Sequence, residues 1–136
     1  MLTIGKLAAL ADVRTDTLRY YERERLLTPA AKSDSGYRLY DGDSVRRIRF
    51  IKQAQHCGFT LTEIAQLLAL RHRPSARCGD VRKLAVEKKR QLEARIRTMR
   101  TMCKALDRPV ADCSAANRPV DNCPILSALD HADAVR

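Results

Sequence analysis

The stretch CGDVRKLAVEKKRQLEARIRTMRTMCKAL, from Cys78 to Leu106, decides how the rest of the chain is read. After Gly79 it contains neither glycine nor proline, Asp80 suits a helix cap, and Arg108-Pro109 suits a stop. The spacing therefore predicts one unbroken helix to about Asp107. Positions seven apart, Cys78, Ala85, Leu92, Met99 and Leu106, are small or apolar, with Val81 and Met102 at the offset of three and Leu84, Ile96 and Cys103 beside them. Lys88 and Arg95 interrupt the second row, and Arg82, Lys83, Lys89, Arg90 and Arg97 clothe the outside. A stripe of that width, flanked by charge, asks for a partner helix rather than a monomer core. The segment reads as a dimerisation helix.

Its length also constrains the cysteines. At 1.5 Å per residue the helix spans roughly 40 Å, and the few residues from Asp107 to Cys113 retrace only about half of that when extended. Cys78 thus cannot meet Cys113 or Cys123 within one chain. If two such helices pair antiparallel, the start of one lies beside the end of the other. Cys78 of one subunit then meets Cys113 and Cys123 of its mate, and a three-thiolate site forms twice across a homodimer.

The chain has 136 residues, a formal charge of +10 and a pI of about 9.8. That is enough chain for one modest core, and the charge favours a polyanionic partner over an acidic substrate. Residues 1–75 and 76–136 each carry 13 basic and 8 acidic side chains, so the face that binds must be found from motifs. No apolar run approaches a membrane span, and the opening MLTIGKLAALADV is broken by polar residues where a signal peptide needs an apolar core. A cytoplasmic protein with no membrane partner is expected. Five cysteines, an odd number, fit reduced thiols better than a disulfide framework.

Along residues 4–22, Leu7, Ala8, Leu10 and Ala11 give an apolar face, Asp12-Val13 breaks it, and Thr15-Asp16-Thr17 starts a second helix. This is helix-turn-helix spacing. The second helix exposes Arg14, Thr17, Arg19, Tyr20 and Arg23, residue types that reach bases and phosphates from a major groove. Lys32-Ser33-Asp34-Ser35-Gly36 is a turn cluster and Tyr37-Arg38-Leu39-Tyr40 alternates like a strand, so a hairpin wing with its tip at Asp34 to Gly36 is expected. Asp43 or Ser44 caps a helix with Val45, Ile48, Ile51 and Ala54 inward, ending at Gly58. Thr60 to Glu63 is a capping box for another through Leu70, with Ile64, Leu67 and Leu68 inward. Arg46, Arg47, Arg49 and Lys52 read as a solvated basic face. Arg71 to Arg77 connects to the long helix.

Four segments in this order and spacing, Thr3-Ile-Gly-Lys-Leu-Ala, Thr17-Leu-Arg-Tyr-Tyr-Glu, Gly36-Tyr-Arg-Leu-Tyr and Gly58-Phe-Thr-Leu-Thr-Glu-Ile, resemble the MerR family of bacterial transcription regulators. The resemblance runs through essentially the whole chain. It implies a mainly α protein: a winged helix-turn-helix DNA-binding domain with connector (1–75), a long antiparallel coiled-coil dimerisation helix (76–108), and a short C-terminal metal-binding loop, helix and tail (109–136). It further implies DNA contacts from Arg19 and Tyr20 on the recognition helix and from Tyr37 and Arg38 in the wing, with Arg14, Thr17 and Lys32 as additions. Family members bind as dimers to double-stranded promoter DNA with an overlong spacer. The effector-bound form distorts that DNA so that RNA polymerase engages both elements, an indirect readout in which phosphate contacts offset deformation energy.

Beyond the long helix, Cys113 and Cys123 bracket a small-residue polar loop, and Pro124 suits the first position of a short helix that Ile125, Leu126 and Leu129 would clamp to the body. Cys78 and Cys123 therefore stand at helix starts, where the thiolate is favoured. Metal-sensing members of the family place one cysteine at the dimer helix's start and two around the following loop. The resemblance implies Cys78, Cys113 and Cys123 as ligands of a soft divalent effector ion: Hg, Pb, Cd or Zn. Zinc-sensing relatives have a second cysteine beside the first loop cysteine, where Ser114 stands here. Copper sensors carry serine at the position of Cys78. Cys57 and Cys103 read as small buried hydrophobes and the three histidines as surface residues. The alternative reading is a thiol-redox or electrophile sensor of the same fold. The chain contains no nucleophile, base and orienter set, phosphate loop or carboxylate pair, so it is not expected to be an enzyme.

Overall fold

The computed structural model describes residues 1–131. Thr3 opens the first helix by accepting the Lys6 N–H at its hydroxyl oxygen, and α1 runs over Ile4–Ala11. It closes at Asp12, which takes the left-handed conformation (φ 54°), while the Val13 N–H reaches back to the Ala8 carbonyl at 3.0 Å. That closure satisfies carbonyls that a helix end otherwise leaves open. α2, Thr15–Arg23, follows after three residues and completes the helix-turn-helix. Arg14, not one of the threonines, occupies its cap position and gives no side-chain bond; Asp16 in the first turn supplies the negative charge that a helix start favours.

The wing is a three-stranded antiparallel sheet in the order β1-β3-β2, built from β1 (Leu2–Thr3), β2 (Ala31–Lys32) and β3 (Arg38–Tyr40). Ala31 pairs with Leu39 and Lys32 with Arg38. The expected tip is where the hairpin turns: Gly36 holds φ 87° and donates to the Ser33 carbonyl at 2.9 Å. Pairing of β1 with β3 was not legible, because two residues are too few to alternate. The two strand tyrosines part company. Tyr40 is fully buried, whereas Tyr37 is 70% exposed.

α3 (Asp43–His56) and α4 (Leu61–His72) complete the core. At the start of α4 the capping box is complete, with Thr60 Oγ1 accepting the Glu63 N–H and Glu63 Oε1 accepting the Thr60 N–H. Leu7, Leu18, Tyr40, Ile48, Ile51 and Ile64 are the largest wholly buried side chains, one or more from each of α1 to α4 and from β3. Tyr21 lies among them and donates its hydroxyl to Gln55 Oε1 at 2.7 Å, and burial pushes its phenol up from the ordinary value. Of the four basic residues of α3 expected to form a solvated face, Arg46 is exposed, but the other three also reach backbone carbonyls. Arg49 donates to the Leu10 carbonyl at 3.2 Å, Lys52 to the Asp12 carbonyl at 2.8 Å, and Arg47 to the Leu26 carbonyl. They brace the ends of α1 and the exit from α2, where carbonyls would otherwise lack donors.

α5 is a single helix of 35 residues, Cys78–Asp112. It starts two residues before the expected Asp80 cap, because that carboxylate accepts the Arg77 N–H at 2.8 Å from inside the first turn. The stop at Arg108-Pro109 is also overridden: the helix runs through Pro109, and the Cys113 N–H closes onto the Pro109 carbonyl at 3.1 Å. Proline forfeits one helical hydrogen bond but its fixed φ is compatible with the helix. Of the apolar row, Val81, Ile96, Met99, Met102 and Leu106 are all at least 39% exposed within the single chain. Lys88 is the buried residue of α5 among the described residues and donates to Gln91 Oε1 at 2.8 Å.

A 3-10 turn at Val120–Asn122 leads into α6, Pro124–Asp130. The clamp expected of α6 is not made by Leu126 and Leu129, which are about half exposed; a seven-residue helix has too little face to bury all three apolar side chains in one chain. Cys57 and Cys103 are likewise exposed rather than buried, Cys57 because it caps the end of α3 and Cys103 because its α5 face is open. By internal packing the chain separates into a unit ending at Ala85, which holds α1 to α4, the wing and the opening turns of α5, and a second beginning at Val86. No described helix is long and apolar enough to cross a membrane.

Candidate DNA-binding face and thiolate site

Within the first unit, α2 and the wing enclose an open basin of about 880 Å³. Arg19 lines it from α2, and Tyr37 and Arg38 line it from the wing. Arg14, Thr17, Tyr20 and Lys32 stand outside its rim, all exposed except the half-buried Thr17. The guanidinium of Arg38 pairs with the Glu22 carboxylate, whose side chain is only 11% exposed against 52% for Arg38. A largely shielded carboxylate at the end of α2 thus ties the wing to the recognition helix. Asp16 holds Arg19 at 3.1 Å and Arg14 at 3.9 Å, both in solvent. Exposed pairs of this kind contribute about 1 kcal/mol or less, so a phosphate can displace the carboxylate at little cost. Arg23 lies over the Tyr20 ring, 5.7 Å from its centroid.

Sequence reasoning missed Glu22 as the wing's tether. Nothing in the spacing of α2 marks this carboxylate, since Asp16 and Glu22 balance Arg19 and Arg23 within the helix. The bracing roles of Arg47, Arg49 and Lys52 were also missed, since each acts on a backbone carbonyl 21 to 40 residues away.

In the second unit, Cys113 follows the end of α5 and Cys123 stands at the start of α6, and the Cys113 side chain is among the groups acting on the Cys123 thiol. Cys123 caps α6, with Pro124 at its first position. The Leu126 backbone N–H lowers its thiol pKa most; burial opposes this, and the Ile125 N–H, a hydrogen bond from the Cys113 side chain and the charge of Arg118 lower it further. A thiol biased toward thiolate by a helix start is the kind of donor that suits a thiophilic ion. Cys78 opens α5 and is exposed, and among the described residues no three His, Cys, Asp or Glu side chains come together to hold a metal ion. His56, His72 and His131 are exposed.

The depressed pKa has a measurable consequence. Between the lowered folded value and the ordinary thiol value, Cys123 is thiolate in the folded protein and thiol in the unfolded one. The stability this adds is present above the unfolded pKa and is lost as pH falls through the folded one. Alkylation of Cys123 by iodoacetamide in metal-free protein, followed by peptide mass spectrometry, should therefore rise with pH at lower pH in the native chain than in urea. Coincident profiles would mean that the α6 amides do not act on the sulfur.

A helix-turn-helix whose second helix, bearing Arg19 and Arg23, is tethered to a wing defines a winged helix-turn-helix DNA-binding protein. Residues 2–70 match the description "MerR HTH family regulatory protein" and residues 45–108 match "MerR, DNA binding". The Escherichia coli K12 regulator ZntR is 34% identical over 131 residues, spanning 96% of this chain and 93% of the relative. A Bacillus cereus mercuric resistance operon regulatory protein is 34% identical over 129 residues, 93% of this chain and 95% of its own. Among solved structures, the transcription regulator PbrR691 from Ralstonia metallidurans CH34 in complex with lead(II) superposes with a TM-score of 0.83 at 36% identity, covering 95% of this chain and 99% of that one. The chain belongs to the MerR family of DNA-binding transcription regulators, in its heavy-metal-sensing branch.

Proposed function

We propose that the protein is a homodimeric activator of a metal-resistance promoter that senses a soft divalent ion, of the Hg, Pb, Cd and Zn class, through Cys113 and Cys123 of one subunit and Cys78 of the other. The observation that carries this reading is the Cys123 thiol, biased toward thiolate at the start of α6 with the Cys113 side chain acting on it. The apolar row of α5, open to solvent from Val81 to Leu106, is the surface a second copy would cover, and antiparallel pairing would bring the partner's α5 start to Cys113 and Cys123. Three thiolates suit Hg(II), Pb(II) or Cd(II); Zn(II) would draw a fourth ligand from Asp112, Asp121 or water. When bound, the ion supplies only a link between subunits. The protein's own residues supply the rest: Arg14, Thr17, Arg19 and Tyr20 from α2 and Lys32, Tyr37 and Arg38 from the wing bind the duplex. RNA polymerase then recognises the promoter in its distorted form.

The proposed organisation is a DNA-binding domain with connector over residues 1–75, a dimerisation helix over 76–108, and a metal loop, helix and tail over 109–136, of which residues 132–136 lie outside the described residues. The test is a titration of reduced protein with Hg(II), Pb(II), Cd(II) and Zn(II), following thiolate-to-metal absorption and run-off transcription on its promoter in parallel. Activation should track occupancy of the thiol triads, one at each end of the paired helices. Transcription that answers to peroxide, with all four ions silent, would replace metal sensing by thiol-redox sensing.

A further inference from the structure

α1, α2 and α3 end by the same device. In each, a residue at the cap or directly after it turns left-handed, and its N–H and that of its successor bond back to carbonyls of the last turn. At α1 the left-handed residue is Asp12 (φ 54°), and at α3 it is Gly58 (φ 89°), with the Gly58 N–H on Gln55 and the Phe59 N–H on Ala54. At α2 it is Arg25 (φ 61°), with its N–H on Glu22 and the Leu26 N–H on Tyr21, both at 2.9 Å. Glycine adopts this conformation freely and aspartate tolerates it through its short polar side chain, whereas a long side chain is strained there. The turn's two backbone hydrogen bonds would form equally with glycine at this position, so they do not explain arginine there. The Arg25 side chain is exposed and, among the described residues, makes no hydrogen bond or ion pair.

Its surroundings indicate what the side chain is for. Arg25 lines the basin between α2 and the wing together with Arg19, Arg23, Tyr37 and Arg38. Each of the other cations is already engaged: Arg19 by Asp16, Arg23 by the Tyr20 ring, and Arg38 by Glu22. Arg25 therefore adds an uncompensated charge at the floor of the face that meets DNA. We propose that Arg25 is a further DNA contact, its guanidinium binding a backbone phosphate between the groove entered by α2 and the strand straddled by the wing. This rests on the DNA-binding reading of that face. A phosphate contact fixes position without reading bases, so its contribution is independent of sequence.

The test compares wild type with Arg25→Gly and Arg25→Lys on a fluorescein-labelled mixed-sequence DNA duplex, by anisotropy across a series of salt concentrations, with thermal melting in parallel. Glycine removes the charge and relieves the backbone, so Arg25→Gly should melt no lower than wild type. Its plot of log K against log salt should be shallower by about 0.9 for each phosphate left without its guanidinium, and affinity at physiological salt should fall about fivefold for each such phosphate. Arg25→Lys should keep the wild-type slope. An Arg25→Gly variant with the wild-type slope and affinity would overturn the assignment, as would one that melts well below wild type, because Arg25 would then stabilise the turn itself. Failure of wild type to bind the duplex would instead count against the DNA-binding reading of the whole face.

Discussion

Replacing Cys123 by serine is expected to abolish metal-triggered transcription while leaving DNA binding by the metal-free protein unchanged. This thiol is held below its ordinary pKa, chiefly by the Leu126 backbone N–H at the start of α6, with smaller contributions from the Ile125 N–H and the Cys113 side chain. Serine keeps the cap geometry of α6 but loses the soft, ionisable donor. Loss of a group that merely supports a ligand costs 10- to 100-fold in metal affinity, so loss of the ligand itself should exceed about 100-fold. The DNA-binding face lies wholly in the unit ending at Ala85 and does not share these residues. The readout is half-maximal Hg(II) or Pb(II) concentration in run-off transcription, beside duplex affinity of the apo form. A Cys123→Ser protein that still activates at the wild-type concentration would remove Cys123 from the ligand set.

Ile48→Ala should carry one of the largest stability losses of any single truncation in the chain. Ile48 is wholly buried and lies in the same core cluster as Leu7 from α1, Leu18 from α2, Tyr40 from β3 and Ile64 from α4. Deleting three carbons there removes their transfer free energy and leaves a cavity that four elements cannot collapse around, at about 2–5 kcal/mol. Against a total of roughly 5–15 kcal/mol for a small domain, that is a large fraction. Urea unfolding should show a lower midpoint at unchanged slope, and duplex binding should weaken only as the folded fraction falls. Leu10→Ala, at a site 53% exposed, serves as the reference and should stay within about 0.5 kcal/mol. An Ile48→Ala loss below that of Leu10→Ala would mean the core is not where the burial places it.

Much of the fold is legible in the sequence where one residue type has one local job. Thr60 and Glu63 announce a helix start, Gly36 and Gly58 announce left-handed turns, and the inward faces of α3 and α4 follow from spacing alone. The readings that shifted depend on neighbours remote in sequence. Lys52 looks like a solvated cation until the Asp12 carbonyl, 40 residues earlier, is found beside its ammonium. Pro109 looks like a terminator because the rule for proline is local, yet α5 carries it through and ends at Asp112. Arg25 gives no sign at all: a turn that favours glycine cannot be seen in a sequence that puts arginine there. For the thiols, Cys113 and Cys123 are visible as the ends of a polar loop, whereas the exposure of Cys57 follows from its place at the end of α3 and that of Cys103 from the open face of α5.

The three matching closures at Asp12, Arg25 and Gly58, with Arg49, Lys52 and Arg47 tied to the carbonyls around them, leave the reading head few soft joints. A block with stiff corners cannot absorb a twist by bending internally. On the proposed metal-sensing reading, a torque applied at the first turns of α5, which belong to this same unit, would turn the block as one piece rather than be absorbed at its corners.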